Sequence, residues 1–278
     1  MKLFIISDPH LDALSSYLKD KLKDLKLRID SVQADALVVL GDIDSGIHPN
    51  PEGSNALLSL HPYTVFVEGN HDLWNVQDLT PPEALARALK RTSSGKPLET
   101  AWDNGCVVHH KGITFVGSMG FPDFKHPRLV KKMTWYDIRC STNDARFMDI
   151  RNGWRKHTVV MEKAFLKRLK EAFASATGDL IVATHYPILD AQSTLREGDE
   201  PMWAYFFNWT MGQQVLKLAE KYPKVRVLCL AGHSHEFCTG ELAQVTKNVW
   251  AYGAQGQYGR IPMWLFDTDL WKFVPKQG

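Results

Sequence analysis

Five apolar runs, each ending in small and metal-competent residues, constrain this chain more than any other feature of it. Leu3-Phe4-Ile5-Ile6 leads into Ser7-Asp8-Pro9-His10, Ala36-Leu37-Val38-Val39-Leu40 into Gly41-Asp42, and Thr64-Val65-Phe66-Val67-Glu68 into Gly69-Asn70-His71-Asp72. Further on, Leu180-Ile181-Val182-Ala183-Thr184 is followed by His185, and Val225-Arg226-Val227-Leu228-Cys229-Leu230-Ala231 by Gly232-His233-Ser234-His235. Short runs rich in β-branched and aromatic side chains that stop at a glycine or a polar residue read as buried strands, which leaves the polar residues on loops at the carboxyl ends. One such loop is most simply a turn with a satisfied imidazole. Five of them point to one cleft.

The intervening segments read as crossovers. Leu14, Leu18, Leu22, Leu25 and Ile29 recur at helical steps among lysines and aspartates, and the turn-rich stretch from Ser45 to Ser54 precedes a short helix around Asn55 to Leu60. The start of the chain is therefore βαβαβ, an arrangement that sets parallel strand ends on one edge, where open α/β sheets build their sites. A helix is expected from Pro81 to about Thr92, a hairpin over 107–116, and further helices over Met161 to Ala176 and Met211 to Lys221. His109 and His110, adjacent on a strand, face opposite ways and are read as structural. Val245 to Tyr252, Met263 to Phe266 and Trp271 to Val274 read as strands of a second, partly antiparallel sheet.

Two stretches break the pattern. Residues 118–157 mix aromatics with Arg128, Lys131 and Lys132 and other cations, and read either as a cap over the cleft or as a solvated insertion with a satellite core. Residues 190–210 carry the aromatic segment Met202-Trp203-Ala204-Tyr205-Phe206-Phe207-Asn208-Trp209, a cleft flank or, more commonly, core. The expectation is a single domain over 1–278 with these two insertions. A net charge of +2 is too mild for bulk attraction to nucleic acid or an anionic membrane. No apolar run approaches the roughly 18 residues of a spanning helix, and no secretory leader pattern opens the chain, so the expected compartment is the cytoplasm with no membrane partner. Cys106, Cys140, Cys229 and Cys238 are widely spaced and no disulfide is assigned.

Collected from the strand ends, Asp8, His10, Asp42, Asn70, His185, His233 and His235 offer two carboxylates, an amide oxygen and four imidazoles. That is too many donors for one ion but suits two neighbouring ions with open positions, with a carboxylate shared between them. Within Asp8-x-His10 and His233-x-His235, alternate residues project to the same side if the strand pleat continues. Oxygen and nitrogen donors without cysteine favour manganese, iron or zinc over calcium.

Asp8-x-His10, Gly41-Asp42, Gly69-Asn70-His71-Asp72, His185 and Gly232-His233-x-His235 together resemble the ordered signature of the calcineurin-like metallophosphoesterases. The resemblance implies an αββα sandwich, an α/β fold of two mixed β-sheets flanked by helices. It further implies that Asp8, His10 and His235 hold one ion, that Asn70, His185 and His233 hold the other, and that Asp42 bridges them. His71 matches the histidine that stays off the metals and assists the leaving oxygen, and Asp72 is counted with it among the catalytic residues as the carboxylate that orients it, the alternative being an exposed turn carboxylate.

The reaction expected on this basis is hydrolysis of a phosphoester by a hydroxide shared between the two ions, with no covalent intermediate and with protonated His71 serving the leaving oxygen. The substrate expected is a phosphorylated small molecule or nucleotide, monoester or diester. One alternative is a nuclease or other nucleic-acid phosphodiesterase using the Arg128, Lys131 and Lys132 cluster as a phosphate track. Another is a non-catalytic scaffold on the same fold, against which the intact donor set argues.

Overall fold

The computed structural model describes residues 1–14, 17–74, 79, 81–101, 104–123, 125–127, 154–194, 207–256 and 260–275. Its elements run β1 (Lys2–Ile6), α1 (Leu18–Ser31), β2 (Ala36–Leu40), α2 (Pro51–Leu58), β3 (Thr64–Val67), the single helical turn α3 (Asn70–Leu73), α4 (Pro81–Lys90) and β4 (Lys96–Pro97). There follow β5 (Glu99–Ala101), β6 (Asn104–Gly105), β7 (Val108–His110), β8 (Ile113–Ser118), α5 (Trp154–Ser175), β9 (Asp179–Thr184), α6 (Trp209–Lys221) and β10 (Arg226–Ala231). The chain closes with β11 (Leu242–Thr246), β12 (Val249–Gly253), β13 (Met263–Asp267) and β14 (Lys272–Val274).

The strands form two six-stranded sheets among the described residues, ordered β14-β13-β1-β2-β3-β4 and β11-β12-β10-β9-β8-β7. In the first, β1 to β4 run parallel and β13 and β14 add antiparallel strands at one margin; in the second, β8, β9, β10 and β12 run parallel between antiparallel β7 and β11. Side-chain alternation decides the layering. Leu3, Ile5, Val38, Leu40, Val65 and Val67 face Phe115, Ile181, Ala183, Leu228 and Leu230 across the gap between the sheets. The intervening residues Phe4, Ile6, Leu37, Val39 and Phe66 pack instead beneath Leu22, Leu25 and Ile29 of α1 and Leu57 and Leu58 of α2. On the far side Val116, Leu180, Val182, Val227 and Cys229 lie under Phe165, Leu169 and Phe173 of α5 and Met211 and Val215 of α6. Burying one such aliphatic side chain contributes roughly 1.5–3 kcal/mol, so both faces of each central strand hold the order helix, sheet, sheet, helix.

The tail departs from the expected second sheet. Val245 to Tyr252 is a hairpin, β11 and β12, whose second strand pairs parallel to β10, whereas β13 returns antiparallel to β1 and belongs to the other sheet. The helix expected around Asn55 begins at Pro51, because the Asn50 side chain caps it by accepting from the Gly53 N–H at 3.0 Å and Pro51 occupies the first turn. His109 and His110 are structural as read: His109 meets the Thr114 hydroxyl at 3.1 Å, and His110 stacks on Tyr63 and meets the Asp35 carbonyl. Cys106, Cys229 and Cys238 are free thiols. Residues 128–153 and 195–206, which hold most of the two expected insertions and Cys140, lie outside the described residues. Among the described residues no helix is long and apolar enough to cross a membrane.

One buried ion pair fastens α5 to the end of β8. The Glu99 carboxylate accepts from Arg168 Nη2 at 3.1 Å, Ser118 Oγ at 2.9 Å and the Met119 N–H at 2.9 Å, and Arg168 also donates to the Gly117 carbonyl at 3.1 Å. Burial pushes the Glu99 carboxyl up, and Arg168 opposes that push. Arg168→Met leaves the acid without its counter-charge, a change that costs about 3–5 kcal/mol when one partner of a buried pair is removed. Urea unfolding should show that loss, with much of it recovered in the Glu99→Gln, Arg168→Met double variant.

Candidate metal centre

The loops after β1 and β2 continue side by side past the edge of their sheet. The Asp8, His10 and Leu11 N–H groups donate to the Gly41, Asp42 and Ile43 carbonyls at 3.2, 3.0 and 3.0 Å. Asp8, His10, Asp42, His233 and His235 all adopt left-handed backbone, with φ of 49°, 43°, 50°, 66° and 44°. Such a conformation costs a non-glycine residue about 1–3 kcal/mol, so its concentration here marks a site held by its surroundings. It also changes the expected geometry. The Asp8, His10 pair and the His233, His235 pair lie beyond the last residues of β1 and β10, and left-handed kinks, not the strand pleat, turn their side chains together.

Two glycines let the loops approach. A Cβ at Gly69 would lie 2.2 Å from Asp42 Oδ1, and one at Gly232 would lie 2.0 Å from Ser7 Oγ and 2.5 Å from Asp8 Oδ2. Neither space admits a side chain. Asp8 is further fixed by Ser7 Oγ and by the His233 N–H, 3.0 Å from its Oδ1.

The seven donors form two groups with one member in common. Asp8, His10, Asp42 and His235 each place a ligand atom within 4.8 Å of the others, and so do Asp42, His185 and His233. Asn70 Oδ1 joins the second group, 2.7 Å from His185 Nε2 and 2.9 Å from His233 Nδ1. In the first group His10 Nε2 and His235 Nε2 are 3.4 Å apart, and Asp8 Oδ1 is 3.6 Å from His235 Nε2. Asp42 lies between them, its Oδ1 3.3 Å from His185 Nε2 and its Oδ2 3.8 Å from His10 Nε2.

Electrostatics fit this donor set to cations. Burial, reinforced by neighbouring imidazoles, pushes His10 down to about 2, burial brings His185 down to about 3, and it holds His233 well below the ordinary histidine range. The rings are therefore neutral at pH 7 and present lone pairs. His185 Nδ1 meets the Leu40 carbonyl at 2.8 Å, which assigns the proton to Nδ1 and leaves Nε2 an acceptor. That acceptor faces the Asn70 oxygen and the Asp42 carboxylate at 2.7 and 3.3 Å. Lone pairs converging at such distances in a buried space call for a cation between them.

Burial raises Asp8 to about 7 against the opposing hydrogen bonds from Ser7 and His233. A metal held by Asp8 would displace that proton at lower pH, so apparent affinity should weaken as pH falls from 7.5 to 6 while the already neutral imidazoles add little. Titration calorimetry in buffers of different ionisation enthalpy should detect the released proton at pH 6 and much less of it at pH 8.

The family model for calcineurin-like phosphoesterases matches residues 1–237. The chain belongs to that family. The calcineurin-like phosphoesterases are hydrolases that depend on a dinuclear metal centre, and this member has candidate metal-ligand residues. No curated protein sequence matches the chain. Among solved structures it is similar to phosphopantetheinyl hydrolase from Mycobacterium tuberculosis, with a TM-score of 0.64 and 15% identity over 92% of this chain and 89% of that one. It is also similar to a dimetal phosphatase from Danio rerio, with a TM-score of 0.52 and 13% identity over 95% of this chain and 91% of that one. Both neighbours share the fold of two packed sheets.

In this calcineurin-like phosphoesterase His71 sits beside the two donor groups and belongs to neither. Its N–H donates to Asp42 Oδ1 at 2.9 Å, and its Nε2 is 3.8 Å from Asp42 Oδ2. Burial, with the His185 and His235 imidazoles, lowers His71 to about 3, so the free ring is neutral at pH 7. Asp72 is buried behind His71. Its oxygens accept from the N–H groups of Asp44, Gly69 and Ile43 at 2.8, 2.8 and 3.2 Å, which ties the loop after β2 to the loop after β3. Three residues at the site escaped the sequence reading. Ser7 holds Asp8, the backbone of Gly256 passes against Asp8 and His235, and Trp74 stacks on His71. Ser7 adjoins a donor in the sequence and was open to notice, whereas nothing in the chain marks Gly256.

Proposed function

We propose that this protein hydrolyses a phosphoester of a small phosphorylated molecule, with one divalent ion held by Asp8, His10, Asp42 and His235 and a second by Asp42, Asn70, His185 and His233. The observation that supports this most directly is the sharing of Asp42 between two donor groups. When bound, manganese, iron or zinc ions supply charge that acidifies water toward neutral pH and offsets the negative phosphoryl oxygens. Asp42, fixed by the His71 N–H, sets the spacing of the two groups. His71 gives the leaving oxygen a hydrogen bond from its ring, and the negative phosphoryl group is the counter-charge that lets this neutral imidazole take up a proton. Asp72 positions both loops through backbone N–H groups. No covalent bond to the protein is required.

The same reading takes residues 1–278 as one domain and assigns substrate choice to the segments 118–157 and 190–210. At the base of these segments His126 meets Asp190 Oδ1 at 2.8 Å, and Asp123 accepts from the Trp209 and Thr210 N–H groups that open α6. The described ends of the two segments are thus hydrogen-bonded to one another. The experiment is the initial rate of metal-stripped protein, reloaded with manganese, iron or zinc, on an aryl phosphomonoester and a bis-aryl phosphodiester. Metal-dependent turnover of either supports the proposal, and the preferred ester defines the substrate class. A folded, fully loaded protein that turns over neither would count against it.

A further inference from the structure

The short turn α3 carries His71, and four residues isolated in helical conformation have no intrinsic stability. Its free carbonyls are nevertheless taken up one by one. The His71 carbonyl accepts from the Gly46 N–H at 2.7 Å and from the Trp74 N–H at 3.2 Å. The Asp72 carbonyl accepts from Arg91 Nη2 at 3.0 Å, and the Trp74 carbonyl from Arg87 Nη2 at 2.8 Å. Arg87 lies in the last turn of α4 and Arg91 just past its end, four residues on, so the carboxyl end of this helix clamps the end of the turn. Gly46 completes the clamp, since a Cβ there would lie 1.8 Å from the Trp74 oxygen.

The residue placed by this clamp is Trp74. Its ring stacks on the His71 imidazole with centroids 3.5 Å apart and planes 29° from parallel. The imidazole of His10 meets the same ring edge to face at 4.7 Å and 72°. The His71 ring is thereby held between an indole face and a second imidazole, with its Nε2 turned to the Asp42 carboxylate. Of these two neighbours, Trp74 is the one outside both donor groups.

We propose that Trp74, anchored by Arg87 and Gly46, is a positioning residue that fixes the His71 ring in the orientation from which it serves the leaving oxygen. The inference rests on the role of His71 given above. A ring free to rotate about its side-chain bonds spends most of its time misdirected, and a misplacement of about 1 Å costs on the order of 100-fold in rate. The effect belongs in kcat and should grow as the leaving group becomes poorer. Metal content should not change, because neither donor group includes Trp74.

The test compares Trp74→Ala, Trp74→Phe and Arg87→Met in the wild-type and His71→Ala backgrounds, using manganese-loaded protein and aryl phosphoesters with good and poor leaving groups. Expected are a loss of about 10–100-fold in kcat for Trp74→Ala on the poor leaving group, a KM within about twofold, and two manganese ions retained. Trp74→Phe, which keeps an aromatic face, should recover most of the rate, and Arg87→Met should lose less than Trp74→Ala in the same direction. In the His71→Ala background Trp74→Ala should have no further effect. If the loss in that background is as large as in wild type, Trp74 acts on something other than His71 and the inference fails while the proposed reaction stands. If His71→Ala alone retains wild-type turnover of the poor leaving group, the role of His71 fails and the inference with it.

Discussion

Asp42→Asn is expected to lose at least one of its two ions and nearly all hydrolytic activity. Asp42 is the one residue common to both donor groups, 1% exposed, with each oxygen directed to a different set of imidazoles. The substitution preserves shape and the acceptor for the His71 N–H while removing the negative charge that lies between two cations. An uncompensated pair of divalent ions so close together repels strongly in a buried site. Loss of an outer hydrogen-bond partner of a metal ligand already lowers affinity or activity about 10–100-fold, and loss of a shared ligand should exceed that. Metal analysis of the purified variant should give well under two ions per chain after dialysis, with circular dichroism unchanged. Two tightly held ions and wild-type turnover would remove Asp42 from its central place.

His71→Ala should do the opposite to the two quantities, keeping the ions and losing the rate. The ring belongs to neither donor group, so metal content should equal that of wild type. A general acid of this kind contributes about 10²–10⁴-fold, and kcat should fall by that order on an alkyl or other poor leaving group. An aryl leaving group of low pKa needs no proton and should lose far less. The contrast between the two substrates separates assistance to the leaving oxygen from a general disturbance of the site. Equal losses on both would assign His71 to structure.

Much of the fold could be read because its strands announce themselves twice, by apolar runs and by the donors at their ends. The amphipathic pattern of Leu22, Leu25 and Ile29 located α1, and the apolar face that includes Phe165, Leu169 and Phe173 located α5. Membership in one sheet or the other was not open to such reading. The run ending at His185 looks like the run ending at Asp42, yet β9 and β2 lie in different sheets, and only packing across Leu40 and Ala183 distinguishes them. Nor could periodicity reveal that β13 would come back beside β1, since that depends on residues 263 positions apart in the chain, such as Leu3 and Phe266.

At the site, the residue types were legible and their support was not. Asp, His and Asn after an apolar run announce donor chemistry whatever the backbone does. The left-handed conformations at Asp8 and His10 accompany the zipping of their loop against the one after β2, and that at His233 accompanies its N–H bond to Asp8, long-range contacts that favour no particular side chain in advance. Asp72 follows His71 in sequence and invited a reading as its partner, but the N–H groups that claim its carboxylate come from Ile43 and Asp44 as well as Gly69. Nothing in the sequence sets Trp74 apart from the other aromatics, yet its ring stacks on His71.

The most direct test of the shared-carboxylate centre is an anomalous difference map from crystals grown with manganese, recorded at a wavelength where that metal scatters anomalously. The account predicts two peaks flanking Asp42, one bounded by Asp8, His10 and His235 and the other by Asn70, His185 and His233. A single peak, or two peaks that do not both contact Asp42, would contradict it.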